Sequence, residues 1–149
     1  MQILNLVNKE ASSINYSISH FPDGEVQITL DSFSRKDDVI VECRITSAEE
    51  LFILMQVMDI LDRHEVTYSV IIYYLMGMRM DRVMDFNRPF TLKVVSTLLS
   101  RSKAHEIRIL EPHSKRIFDL SNIFTEHIDD LLEGFKTELL SCRQLVLPD

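Results

Sequence analysis

Residues 70–93, VIIYYLMGMRMDRVMDFNRPFTLK, decide how this chain is read. The stretch opens as a solid apolar run, Val70 to Leu75, which predicts a strand buried on both faces. It then breaks into a polar loop holding Arg79, Asp81, Arg82, Asp85, Asn87 and Arg88. A helix is expected to restart at Pro89, because proline's missing N–H costs nothing in a first helical turn. In an open α/β sheet, ligands bind at the loops leaving the C-terminal ends of strands. An arginine-rich loop in that place points to a phosphate-bearing ligand. The alternative is an Arg–Asp ion pair that merely ties the loop down.

Outward from this stretch, the same periodicity reasoning covers the rest of the chain. Residues 2–7 and 14–20 read as short strands around a polar turn at Asn8–Ser13. Residues 21–25, FPDGE, carry a Pro-Asp-Gly turn signal, and Val26–Leu30 alternates as a strand with one wet face. Val39–Ile45 is another strand. Ser47 and Glu50 have capping-box spacing, so a helix is expected from there to about His64. Its stripe of Leu51, Leu54, Met55, Met58 and Leu61 is read as core packing rather than a ligand box.

Tyr68–Leu75 is the central strand, and Pro89–Ser102 is the next helix, with Phe90, Val94, Val95, Leu98 and Leu99 facing inward. Glu106–Leu110 is a strand running into Glu111-Pro112-His113. A helical turn over Ser114–Leu120, a last helix over Thr125–Leu140 and a final strand at Gln144–Leu147 complete the reading. The fold class is therefore α/β: an open, mostly parallel sheet with helices on both faces and a short antiparallel hairpin near the N-terminus. Residues 1–149 are expected to form one domain.

Bulk properties narrow the function. Hydrophobic residues make up 46% of the chain and charged residues 26%, ordinary values for a soluble protein. A net charge of −7 argues against a general nucleic-acid binder. Yet from Arg79 to Lys103 six basic residues face two acids, a local positive patch suited to a small anion. No signal peptide and no stretch of transmembrane length are found, so no membrane partner is expected. Cys43 and Cys142 match no metal or redox spacing and read as buried thiols of a cytoplasmic protein.

Only three glycines are present, which excludes glycine-rich phosphate loops. Phosphate binding must therefore use side chains, and arginine's planar fork suits phosphate oxygens. His113 shares the strand-end rim with Arg79, and Glu111 beside it offers a hard oxygen ligand for a divalent metal. A lone strand-end histidine is also commonly structural. Asp149 makes a third rim group. Asp23 and Glu25, with Phe21 to stack, could read a nucleoside, or could simply form an acidic hairpin turn. His20, His64, His105 and His127 read as surface residues.

Taken in order, these pieces resemble the N-terminal half of ribose-phosphate pyrophosphokinase, from about Ile14 to Asp149. FPDGEVQI is similar to that family's F-S-D-G-E-x-x-V-x-I. Residues 50–75, ELFILMQVMDILDRHEVTYSVIIYYL, resemble its long helix and following strand. Gly77-Met78-Arg79-Met80-Asp81-Arg82 stands where the family has Y-A-R-Q-D-R. PFTLKVVSTLL resembles P-I-(S/T)-A-K-(L/V)-V-A-D-L-L. Glu111-Pro112-His113 replaces D-L-H, and Leu147-Pro148-Asp149 replaces S-P-D.

The resemblance implies a phosphoribosyltransferase-like fold and an enzyme that passes the β,γ-diphosphoryl group of Mg²⁺-ATP to ribose 5-phosphate. Positioning and charge neutralisation would supply most of the rate. It further implies that Phe21, Asp23 and Glu25 hold the adenosine of ATP from a neighbouring subunit of a homo-oligomer. Arg79, with Asp81 and Arg82, would serve the triphosphate. His113, Glu111 and Asp149 would stand near Mg²⁺, with Arg79 and His113 as the catalytic pair.

Met80 in place of Gln, Gly77 and Met78 in place of Tyr and Ala, and Val83 in place of a basic residue are departures from the pattern. So is the short N-terminus, with no room for a helix between Val7 and Ile14. The family's ribose-5-phosphate domain lies beyond Asp149, so the 149 residues alone are expected not to catalyse transfer. The alternative is a non-catalytic module that associates with a synthetase and regulates it. An unrelated flavodoxin-like domain would require the motif order to be coincidence.

Overall fold

The computed structural model describes residues 1–114 and 122–127. Five strands form a parallel sheet in the order β1 (Gln2–Asn5), β4 (Val39–Ile45), β5 (Tyr68–Leu75), β6 (Glu106–Leu110) and β7 (Ile123–Glu126). A separate antiparallel pair, β2 (Tyr16–His20) and β3 (Val26–Leu30), makes the expected hairpin. Helices α1 (Ala48–Arg63) and α2 (Thr91–Leu99) connect β4 to β5 and β5 to β6. A 3-10 turn, Lys9–Ala11, occupies the short connection after β1.

Each of these connections steps one place in the same direction across the sheet. Right-handed crossovers then require the hairpin, α1 and α2 to lie on one face. The register agrees: Val41, Val70 and Ile107 are side-by-side partners, as are Cys43, Ile72 and Ile109, and all six are buried. They form one core with Leu54, Val57 and Leu61 of α1, Leu92, Val95 and Leu99 of α2, and Val26 and Ile28 of the hairpin.

The other face is wetter. Ile40, Ser69, Ile71, Glu106 and Arg108 line a cleft of ≈ 180 Å³ there, and Tyr73 is 43% exposed. Strand β5 is therefore fully buried on one face only. An unbroken apolar run shows that a strand is mostly covered but not how completely each face is covered. Beyond His127, the expected third helix lies outside the described residues, as do the turn at 115–120, the strand Gln144–Leu147, Cys142 and Asp149.

The strands expected at 2–7 and 14–20 are shorter, Gln2–Asn5 and Tyr16–His20, and two further elements differ from expectation. Helix α2 starts at Thr91, two residues after Pro89, and its inward seam is Leu92, Val95, Ser96 and Leu99. Val94, expected inside, is 56% exposed. Residues Ile123–Glu126, whose second half reads as the start of a helix, instead pair with β6. Thr125 is a plausible helix cap in isolation, but it and Ile123 are β-branched, and a free parallel edge offers them a full ladder.

The hairpin is fastened to α1 by a side chain that imitates a strand. Gln56 accepts a hydrogen bond from the Ile28 amide at 3.1 Å and donates to the Val26 carbonyl at 2.8 Å. Near the turn, His20 Nε2 lies 3.0 Å from Glu49 in the first turn of α1. Residues 21–25 are thereby carried toward the C-terminal edge of the parallel sheet.

Candidate functional site

At that edge the chain leaves β4 and β5 by two neighbouring junctions, joined where the Met76 amide donates to the Ile45 carbonyl at 2.8 Å. The first junction is Thr46 and Ser47 alone. Ser47 caps α1 by accepting from the Glu50 amide at 3.2 Å, and Glu50 accepts in return from the Ser47 amide at 2.9 Å. Burial opposes the charge of Glu50, but hydrogen bonds from Thr46 and Ser47 outweigh it and hold its carboxyl below the usual range. Beneath it, burial and the nearby Glu50 charge push the Cys43 thiol up to about 12, so Cys43 is an inert core residue.

The second junction, residues 76–90, is the arginine loop. Its first half is fixed. Met78 is 3% exposed and anchors it in the core. Gly77 turns the chain at φ +85°, where a Cβ would also sit 3.3 Å from the Thr91 methyl. The Met80 amide donates to Gly77, and the Met80 carbonyl accepts from Leu92 at the start of α2. The Thr91 hydroxyl donates to the Met80 sulfur at 3.4 Å, so the side chain replacing the expected glutamine is engaged by the first residue of α2.

Arg79, Met80, Asp81, Arg82, Met84, Arg88 and Pro89 line a pocket of ≈ 340 Å³. Among the described residues no carboxylate pairs with Arg79, Arg82 or Arg88. The Arg–Asp tie considered from the sequence is not formed. Asp81 instead accepts from the Ser114 hydroxyl at 2.8 Å, a contact between residues 33 apart. Three free guanidinium groups around one opening make a cationic site suited to clustered phosphate oxygens. Helix α2 begins beside it, with Phe90 at the cap position and no side-chain cap.

His113 lies on the same rim, exposed, with its ring edge-on to Tyr74 at 6.4 Å. Arg44, at the end of β4, stands over the other ring of that row, 5.9 Å from the Tyr74 centroid. Arg44 has no motif around it, and only the folded register brings it to the rim. Glu111 adopts φ +46° and directs its carboxylate to within 4.0 Å of His127, at the end of β7. His127, which reads as a surface residue in the sequence, is thus a rim group facing Glu111.

Among the described residues no three His, Cys, Asp or Glu side chains gather as a metal site. This is compatible with Mg²⁺, which keeps several waters and needs only one or two carboxylates beside a substrate's phosphates. Glu111 can supply one such oxygen. His113 offers a nitrogen, a poor ligand for Mg²⁺ but a good hydrogen-bond donor to phosphate.

Phe21, Asp23 and Glu25 are exposed on the hairpin turn and line no part of the arginine pocket. The turn is closed by Gly24 at φ +91°, by Gly24 and Phe21 backbone bonds, and by Asp23 accepting from the Glu25 amide at 3.2 Å. No helix among the described residues is long and apolar enough to cross a membrane.

No family model matches the chain. Curated relatives do: it is 31% identical over 139 residues to the ribose-phosphate pyrophosphokinase of Bacillus caldolyticus, covering 89% of this chain and 44% of that protein. The enzyme of the same name from Corynebacterium ammoniagenes is 30% identical over the same extent. The phosphoribosylpyrophosphate synthetase of Mycobacterium smegmatis superposes with a TM-score of 0.72 at 18% identity, over 93% of this chain and 52% of that one. The chain is ribose-phosphate pyrophosphokinase-like over most of its length, and its fold is that of the synthetase. It spans about half the length of these relatives.

Proposed function

We propose that this chain is an ATP-binding unit of the ribose-phosphate pyrophosphokinase type, occupying one domain and serving transfer of a diphosphoryl group to ribose 5-phosphate. The observation that carries the reading is the arginine pocket. Arg79, Arg82 and Arg88, with no carboxylate partner among the described residues, surround one opening at the C-terminal end of the central strand. In phosphoryl and diphosphoryl transfer the protein chiefly orients phosphates and neutralises their charge, which is what such groups do.

In this reading Arg79 grips the triphosphate and Arg82 and Arg88 add charge. His113, steadied by Tyr74, donates a hydrogen bond to the terminal phosphate. Glu111 is the carboxylate on the described rim that would hold Mg²⁺, with Asp149 proposed as a second, and the ion would supply neutralisation of phosphate charge. Phe21, Asp23 and Glu25 serve the adenosine of a neighbouring subunit, which is supported by their not lining the pocket of their own chain. This makes the unit a homo-oligomer. The acceptor ribose 5-phosphate is assigned to no described residue.

Calorimetric titration of the chain with Mg²⁺-ATP tests the reading. Saturable binding is expected, weakened at least about tenfold by Arg79→Ala and less by His113→Ala. Absence of binding by the native chain overturns it.

One observation favours a second reading, a non-catalytic module that docks on a synthetase. Val83, Met84 and Phe86 project from the arginine loop, with Phe86 97% exposed, and Met80 offers no amide to a nucleotide. Stable co-purification with a full-length synthetase, lost on Phe86→Ser and without ATP binding, would select it.

A further inference from the structure

Asp81 sits between Arg79 and Arg82 in sequence and on the wall of their pocket, yet pairs with neither. A carboxylate in an anion site is a competitor. Left free, it would be expected to swing onto a guanidinium and neutralise it, since Arg–carboxylate pairs are among the stronger hydrogen-bonded contacts. The structure points to what prevents this. The Ser114 hydroxyl, on a residue only 7% exposed, donates to Asp81 Oδ2 at 2.8 Å.

We infer that Ser114 is a positioning residue: by holding the Asp81 carboxylate it keeps Arg79 and Arg82 available for phosphate. Asp81 then has no direct role toward the phosphates. It ties the arginine loop to the segment that carries His113, one residue before Ser114. The Met80 amide and carbonyl are bonded just before it, and beyond it the Arg88 amide donates to the Asp85 carbonyl. This inference rests on the phosphate-binding reading of the pocket, but its structural half stands apart from it.

The test uses the whole chain and three variants: Ser114→Ala, Asp81→Asn and the double variant. Inorganic tripolyphosphate and Mg²⁺-ATP are titrated by calorimetry. Arginine side-chain Nε–H signals are recorded by NMR without ligand. Ser114→Ala is expected to shift the Arg79 or Arg82 Nε–H signal, as a new ion pair would. It is also expected to weaken tripolyphosphate binding by about tenfold, the equivalent of one charged hydrogen bond. Adding Asp81→Asn should restore native or better affinity, because the competing charge is gone. A role confined to structural support would leave the double variant at least as weak as Ser114→Ala. Unchanged arginine signals in Ser114→Ala, or no restoration by Asp81→Asn, overturns the inference. If the native chain binds neither ligand, the proposed function falls while the arginine signals alone still decide whether Ser114 restrains Asp81.

Discussion

The two strand-to-helix junctions of the central sheet lie side by side and do opposite work. From β4 to α1 the chain uses Thr46 and Ser47 alone, and its polar groups are spent on each other in a capping box. From β5 to α2 it uses residues 76–90, leaves the helix without a side-chain cap, and displays three arginines that pair with no carboxylate among the described residues. The comparison teaches that a junction whose hydrogen-bonding capacity is consumed internally is structural, while one that leaves charges unspent on rigid supports can bind.

The long junction repeats the contrast within itself. Residues 76–81 are pinned by Met78, Gly77, the Met80 backbone and Asp81, whereas 82–88 carry exposed Val83, Met84 and Phe86. Truncating the buried anchor should have the largest effect: Met78→Ala is expected to lower unfolding free energy by about 2–4 kcal/mol in denaturant melts. Gly77→Ala should cost about 1–2 kcal/mol, since it places a side chain at positive φ against Thr91.

At the short junction, Glu50→Ala should cost about 1 kcal/mol near neutral pH by opening the capping box. Because the folded carboxyl of Glu50 is held below its unfolded value, its contribution is full above the unfolded pKa. It is lost as pH falls through the lowered folded pKa, so native and variant melts should converge in acid. Phe86→Ser should change stability by less than about 0.5 kcal/mol, as expected of a side chain 97% exposed. A large loss there would mean that the second half of the loop is packed after all.

What could be read in the sequence was local. Ser47 with Glu50 announced the capping box, Pro22-Asp23-Gly24 the hairpin turn, and the run from Tyr68 to Leu75 the central strand, all with the observed bounds or nearly so. What could not be read depends on residues distant in sequence. The Asp81–Ser114 bond, the Glu111–His127 pair, Arg44 over Tyr74 and the Gln56 clamp each join elements whose adjacency only the sheet order creates. Strand β7 was hidden for the same reason: its pairing energy comes from β6, not from its own four residues. In helix α2, Val95 and Leu99 are buried as the spacing predicts, but Leu92 rather than Val94 completes the seam, because both fit one helical repeat and only packing selects between them.

The most direct measurement is calorimetric titration of Mg²⁺-ATP into the native chain, the Arg79→Ala variant and the Glu50→Ala variant under one set of conditions. The expected result is saturable binding by the native chain and by Glu50→Ala, with affinity reduced at least about tenfold in Arg79→Ala, the loss of one charged phosphate contact. Equal affinity in Arg79→Ala, or no binding by the native chain, would contradict the assignment of the long junction as a phosphate site.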